Sequence, residues 1–244
     1  MANAPQNKEQ EFDAYRDTYS DDIDKSLAFS GQAQDFFTRV KAECIVEILQ
    51  KHFKSDAKNP VKLLDVGCGH GLIHPHLLES AKAQNYPLSL TGIDVAASVV
   101  ELAKKENPSI AYDTYDGITL PYADNSFDFA FAICVMHHVP PAQWQDFLKE
   151  MNRVVKPGGI VSIFEHNPLN PVTVHIVNNC PLDENAVLLR ASKLEALYKG
   201  AGLNDISKNY ILFTPIAAKL FRKLDKMLSW LPLGAQYYML GHVK

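Results

Sequence analysis

Between residues 61 and 164, short apolar runs alternate with longer amphipathic stretches, and this alternation restricts the fold more than any other feature of the chain. The runs at 61–66, 88–94, 109–112, 127–134 and 159–164 have the length and composition of buried strands. The stretches at 71–84, 96–106 and 142–154 carry apolar residues at helical spacing. Strands that alternate with helices build a parallel sheet with both faces covered. "KPGG" (156–159) reads as the turn that stops one helix before the next strand. Upstream, Phe37, Val40, Cys44, Ile48 and Leu49 repeat with a helical period over 34–53. Beyond residue 164 the pattern loosens. "EHNPLNPVT" (165–173) holds two prolines and is not expected to be a regular helix. A helix at 191–201, a strand at 206–213, an amphipathic helix at 216–229 and a last strand at 235–243 are expected to follow.

With 244 residues, 47% of them hydrophobic, the chain can bury the core of one sizeable domain. The net charge of -4 leaves no basic field to hold nucleic acid. Cys44, Cys68, Cys134 and Cys180 are widely spaced without a C-x-x-C pair, so they read as reduced thiols of a cytoplasmic protein. No apolar run reaches membrane-spanning length, and the polar start "MANAPQNKEQ" argues against a signal peptide; residues 1–10 are expected to be disordered.

The first strand runs into "DVGCGHG" (65–71), where Gly67, Gly69 and Gly71 alternate after Asp65. A glycine loop between a strand and a helix turns backbone N–H groups toward a ligand, and glycine lets that ligand come close. A dinucleotide loop would read G-x-G-x-x-G. The spacing here differs, and a carboxylate two residues before the first glycine suits a cationic amino group better than a pyrophosphate. Asp94 ends the next strand, at the position from which an acid reaches ribose hydroxyls. A nicotinamide enzyme would share Asp94 but not the loop.

Taken in order, "DVGCGHG", Asp94, "DGITLPY" (116–122), "SFD" (126–128) and "LKEMNRVVKPGG" (148–159) resemble the class I S-adenosylmethionine-dependent methyltransferases, chiefly over residues 60–165. The resemblance implies an α/β fold: a Rossmann-like seven-stranded sheet, mostly parallel with the last strand antiparallel. It further implies a helical lid over 11–58, a methyltransferase domain over 59–244 and a cap at about 165–190. S-adenosylmethionine would be bound by Asp65, Gly67, Cys68, Gly69 and Gly71, with Asp65 near its amino group. Asp94 and Val95 would meet the ribose, Asp116 and Gly117 the adenine, and Ile133, Cys134 and His138 the wall beyond.

Methyl transfer chiefly requires alignment of the acceptor, and a hydroxyl acceptor also needs a base. His138, His166 and Glu165 are the candidate catalytic residues. Tyr15, Tyr19, Phe29, Phe37 and His137 are candidates for the acceptor side. An oxygen acceptor of small or medium size is favoured, with nitrogen and carbon open. A non-catalytic S-adenosylmethionine-binding protein and, more remotely, a nicotinamide-dependent oxidoreductase stand as alternatives. No metal is expected from His70, His74 and His76, because Pro75 intervenes and no cysteine pair completes a set. The helix at 216–229 reads as a surface helix, with weak peripheral membrane contact as its alternative.

Overall fold

A computed structural model describes residues 33–216 and 218–244. Helix α1 (Gln34–His52) precedes strand β1 (Val61–Val66). Helix α2 (His74–Ala83), β2 (Leu88–Asp94), α3 (Ala97–Glu106), β3 (Ala111–Thr114) and β4 (Phe127–Ile133) follow. After a 3-10 turn at Met136–His138 come α4 (Trp144–Val154), β5 (Val155–His166) and α5 (Pro171–Asn179). A second 3-10 turn, Pro181–Asp183, leads to α6 (Ala191–Gly200), β6 (Asn204–Ile211), α7 (Lys219–Met227) and β7 (Gln236–His242).

The seven strands form one sheet in the order β3-β2-β1-β4-β5-β7-β6. β1 to β5 pair in parallel, whereas β7 runs against both β5 and β6. This is the expected Rossmann-like sheet. Alternate residues feed two cores, as a pleated strand requires. Leu63, Phe129 and Phe131 join residues of α1, α2 and α3 on one face. Leu64, Ala130 and Ala132 join those of α4 and α6 on the other.

Three local readings change. β5 begins directly at Val155 and runs through "KPGG", with a register shift against β4 between Phe127 and Phe129. Gly158 takes a positive φ there, so the segment is an irregular strand start and not a separate turn. Part of "EHNPLNPVT" is helical, because Pro171 sits in the first turn of α5, where its missing N–H is no loss. Asn170 caps that helix, accepting from the N–H groups of Val172 and Thr173. On α7, Leu220 and Met227 are exposed, while Arg222 lies over the Phe36 ring and Lys226 pairs with Glu47. The helix therefore touches α1 through its cations.

α4 fastens the segment that follows β3. Arg153 donates to the carbonyls of Leu120 (2.9 Å) and Tyr122 (2.8 Å) and to Asp124 (2.8 Å). Glu150, itself bonded to Arg153, accepts from the Leu120 N–H at 3.0 Å. Charge-assisted bonds of this kind contribute about 1.5–3 kcal/mol each. Arg153→Ala should therefore cost about 1–3 kcal/mol after partial replacement by water. Thermal unfolding should show a drop of roughly 2–10 °C, and an unchanged midpoint would show that the loop holds itself.

Candidate functional site

Strand order reverses direction between β1 and β4, so the loops leaving these two strands diverge and open a crevice. A cavity of about 1340 Å³ lies there, lined by the glycine loop, by the segments after β2, β3, β4 and β5, and by the first turn of α1. Phe37 on α1 lines it. Tyr15, Tyr19, Phe29 and the expected lid stretch 11–32 lie outside the described residues.

At one end, the glycine loop is bent back over β2. The N–H groups of Gly67 and Cys68 both donate to the Ile93 carbonyl, at 2.8 and 3.0 Å. Gly69 N–H donates to one Asp94 oxygen at 2.8 Å, and Ala96 N–H to the other at 3.1 Å. Burial raises the Asp94 pKa, opposed by these backbone donors. A Cβ at Gly69 would meet nothing within 4 Å, so this glycine faces open space in the cavity. Gly71 differs from its expected role. It does not line the cavity, and a Cβ there would stand 2.6 Å from the Tyr112 hydroxyl. Its φ of +68° and this close packing are by themselves enough to require glycine.

Asp65 is buried under the loop. Its Oδ2 accepts from His74 Nε2 at 2.9 Å, and His74 Nδ1 lies 2.6 Å from the Tyr112 hydroxyl. The other carboxylate oxygen, Oδ1, is buried without a hydrogen-bond partner. Burial raises the Asp65 pKa against the His74 bond. His74 is therefore a structural partner of Asp65. His76 pairs instead with Asp35 at 2.9 Å, so His70, His74 and His76 do not converge. Further along, Asp116 accepts from the N–H groups of Ile118 and Thr119, both at 2.8 Å, which shapes the turn beside Gly117. Those two donors hold the Asp116 carboxyl below its ordinary pKa.

At the opposite end, Cys134 leaves β4 with a φ of +56°, a costly conformation for a non-glycine residue. This turn brings Met136–His138 back across the end of the sheet. His137 is buried, and its Nδ1 lies 2.6 Å from Glu165 Oε2. His137 Nε2 lies 3.3 Å from Asp183 Oδ1, and His138 Nε2 lies 3.5 Å from the same oxygen. The His166 ring stands 5.1 Å from that of His137. Burial disfavours charge on His137, but Glu165 and Asp183 outweigh it and raise its pKa well above the ordinary value. Burial and the His137 charge push His138 down to about 3 and His166 to about 4.

His137, His138 and His166 line the cavity, whereas Glu165 is fully buried behind His137 and reaches the site only through that ring. Asp183 was not legible as a site residue. It arrives from a 3-10 turn 45 residues along the chain, in a stretch with no motif of its own.

Residues 64–163 match the family model described as a methyltransferase domain. A methyltransferase named GfsG from Streptomyces halstedii is 32% identical over 165 residues, 64% of this chain and 57% of that protein. A demethylmenaquinone methyltransferase from Staphylococcus aureus is 36% identical over 118 residues, 46% of each chain. The chain thus spans about half the length of these curated relatives. Among solved structures, a methyltransferase from Thermotoga maritima described as a possible histamine N-methyltransferase superposes with a TM-score of 0.65. It is 16% identical, covering 96% of this chain and all of that one, and so speaks for the fold. Residues 64–163 thus carry a methyltransferase domain, and the fold around them is that of solved S-adenosylmethionine-dependent methyltransferases. The domain match and the loop spacing both speak against the nicotinamide alternative.

The residues present fit this methyl donor. An unpartnered buried carboxylate oxygen at Asp65 suits an ammonium group, and the open face of Gly69 leaves room beside it. Asp65→Asn should weaken binding of S-adenosylhomocysteine about 10- to 100-fold, the worth of one charge-assisted bond. Titration calorimetry on a variant of unchanged melting temperature checks this. Equal affinity would remove Asp65 from the binding surface.

Proposed function

We propose that the protein methylates a hydroxyl oxygen of a small or medium-sized acceptor enclosed in this cavity. The observation that carries the reading is the carboxylate-backed imidazole pair at the acceptor end, with His137 held by Glu165 at 2.6 Å and facing Asp183 at 3.3 Å. S-adenosylmethionine supplies an electrophilic methyl on a sulfonium, already a good leaving group. An amine acceptor can attack with its own lone pair. A hydroxyl must be relieved of its proton as the bond to the methyl forms, and that calls for groups such as these.

In this reading Asp65 and the Gly69 loop hold the amino-acid end of the donor, Asp94 takes the ribose hydroxyls, and Asp116 and Gly117 flank the adenine. Val95, Ile133 and Cys134 supply apolar wall. Glu165 is a positioning residue that sets the His137 ring, while His138 and His166 border the acceptor. Phe37 and the apolar side of α5 exclude water. The printed names of relatives include an N-methyltransferase and a demethylmenaquinone methyltransferase, so they do not choose among oxygen, nitrogen and carbon.

The test uses carbon-13 methyl-labelled S-adenosylmethionine with fractionated small molecules of the host. The chemical shift of the transferred methyl reports the atom that carries it. An oxygen-bound methyl is expected; a methyl on nitrogen or carbon would overturn the acceptor class. No transfer to any fraction, with donor binding intact, would favour a non-catalytic binding protein. With an acceptor in hand, His137→Asn should lower kcat by about 100-fold or more. Its affinity for S-adenosylhomocysteine should stay within about threefold of wild type, because the residue lies at the acceptor end. Full turnover would remove His137 from the chemistry.

A further inference from the structure

We infer that His137, His138 and Asp183 form a binding site for a divalent transition-metal ion at the acceptor end of the cavity. One ligand-type atom from each lies within 4.8 Å of the others, and all three residues line the cavity. The inference deepens the oxygen-acceptor reading, and it rests on that reading only for what the ion does, not for its binding.

The argument starts from the Glu165 side. A carboxylate 2.6 Å from Nδ1 holds a proton there and turns Nε2 toward Asp183, the nitrogen that would give up its proton to bind an ion. This is the arrangement in which a carboxylate orients a metal-bound histidine. Glu165 is fixed in turn, accepting from the backbone N–H groups of His137 and His166, each at 3.3 Å. Nε2 and Asp183 Oδ1 stand 3.3 Å apart, and His138 Nε2 stands 3.5 Å from the same oxygen. Without an ion a proton on the charged His137 ring bridges the first gap, and a metal ion would take that proton's place. Ligand atoms about 2.0–2.1 Å from a tetrahedral ion lie roughly 3.3–3.4 Å from one another. One ion beside that oxygen can take both imidazoles as ligands.

The donor set identifies the class of ion. Two imidazoles and one carboxylate suit zinc, iron, cobalt or manganese, while magnesium and calcium prefer oxygen donors throughout. Three protein ligands leave a position open on the cavity side, as in catalytic sites. An acceptor hydroxyl there would ionise more readily. The balance is then complete: the O–H bond breaks and its proton passes to solvent, the new C–O bond forms, and the S–C bond gives its electron pair to sulfur, leaving S-adenosylhomocysteine.

The test uses the full chain without a histidine tag, stripped with chelator and desalted. Cobalt(II) should bind at one site per chain and give the intense visible absorption of four-coordinate cobalt, and zinc(II) should displace it. Asp183→Asn and His138→Gln should each weaken zinc binding at least tenfold, and Glu165→Gln about 10- to 100-fold. S-adenosylhomocysteine binding serves as the check that each variant is folded. No saturable cobalt or zinc binding by the wild type would overturn the site. Wild-type affinity in folded Asp183→Asn and His138→Gln would also overturn it, by placing the ion elsewhere. Because the readout is binding, the two readings fail separately. Metal bound with the methyl on nitrogen leaves the site and removes the oxygen acceptor. Methyl on oxygen without metal does the reverse.

Discussion

The boundary between β1 and β4 governs the molecule. β2 and β3 extend the sheet to one side of β1, and β4, β5, β7 and β6 extend it to the other. Connections from adjacent strands must therefore part at this point, and no helix can cover the gap. Asp65, Asp94, Asp116, His137, His138 and His166 each reach the cavity from the carboxyl end of a strand or from the segment that follows it. A parallel sheet buried on both faces is rigid enough to hold such groups at fixed separations.

The two ends of the cavity carry different electrostatics. Near the glycine loop, Asp65 is buried and Asp94 partly so, and His74 and backbone N–H groups hold their carboxylates in place. This suits a ligand that brings its own positive charge. At the far end, Glu165 and Asp183 bracket His137, and burial works against charge on all three. A cluster with two acids and three imidazoles is suited to taking a cation or a proton as part of its function. The left-handed Cys134 is what turns the chain to make this second end, so its strain is spent at the site and not in the core.

Much of this was legible in the sequence for a simple reason. Strand and helix periods are local, so the sheet, its helices and the antiparallel last strand followed from them and from the family resemblance. Asp65, Gly69, Asp94 and Asp116 were legible because a motif fixes each one at a short spacing. What escaped depends on contacts across long separations. Gly71 looked like a ligand-facing glycine, yet its neighbour is Tyr112 from β3. His74 was weighed as a metal ligand, yet it underpins Asp65. Glu165 and His137 were separate candidates from different strands, and only the parallel pairing of β4 with β5 makes them one unit. Asp183 had no local signal at all.

The central claim is that the methyl donor lies along the cavity with its amino group at Asp65 and its sulfur toward His137. A crystal structure of the protein with bound S-adenosylhomocysteine tests this most directly. The account requires the ligand amino group on Asp65 Oδ1 and the sulfur facing the wall formed by His137, His138 and Asp183. A ligand bound in the reverse sense, or outside this cavity, would contradict it.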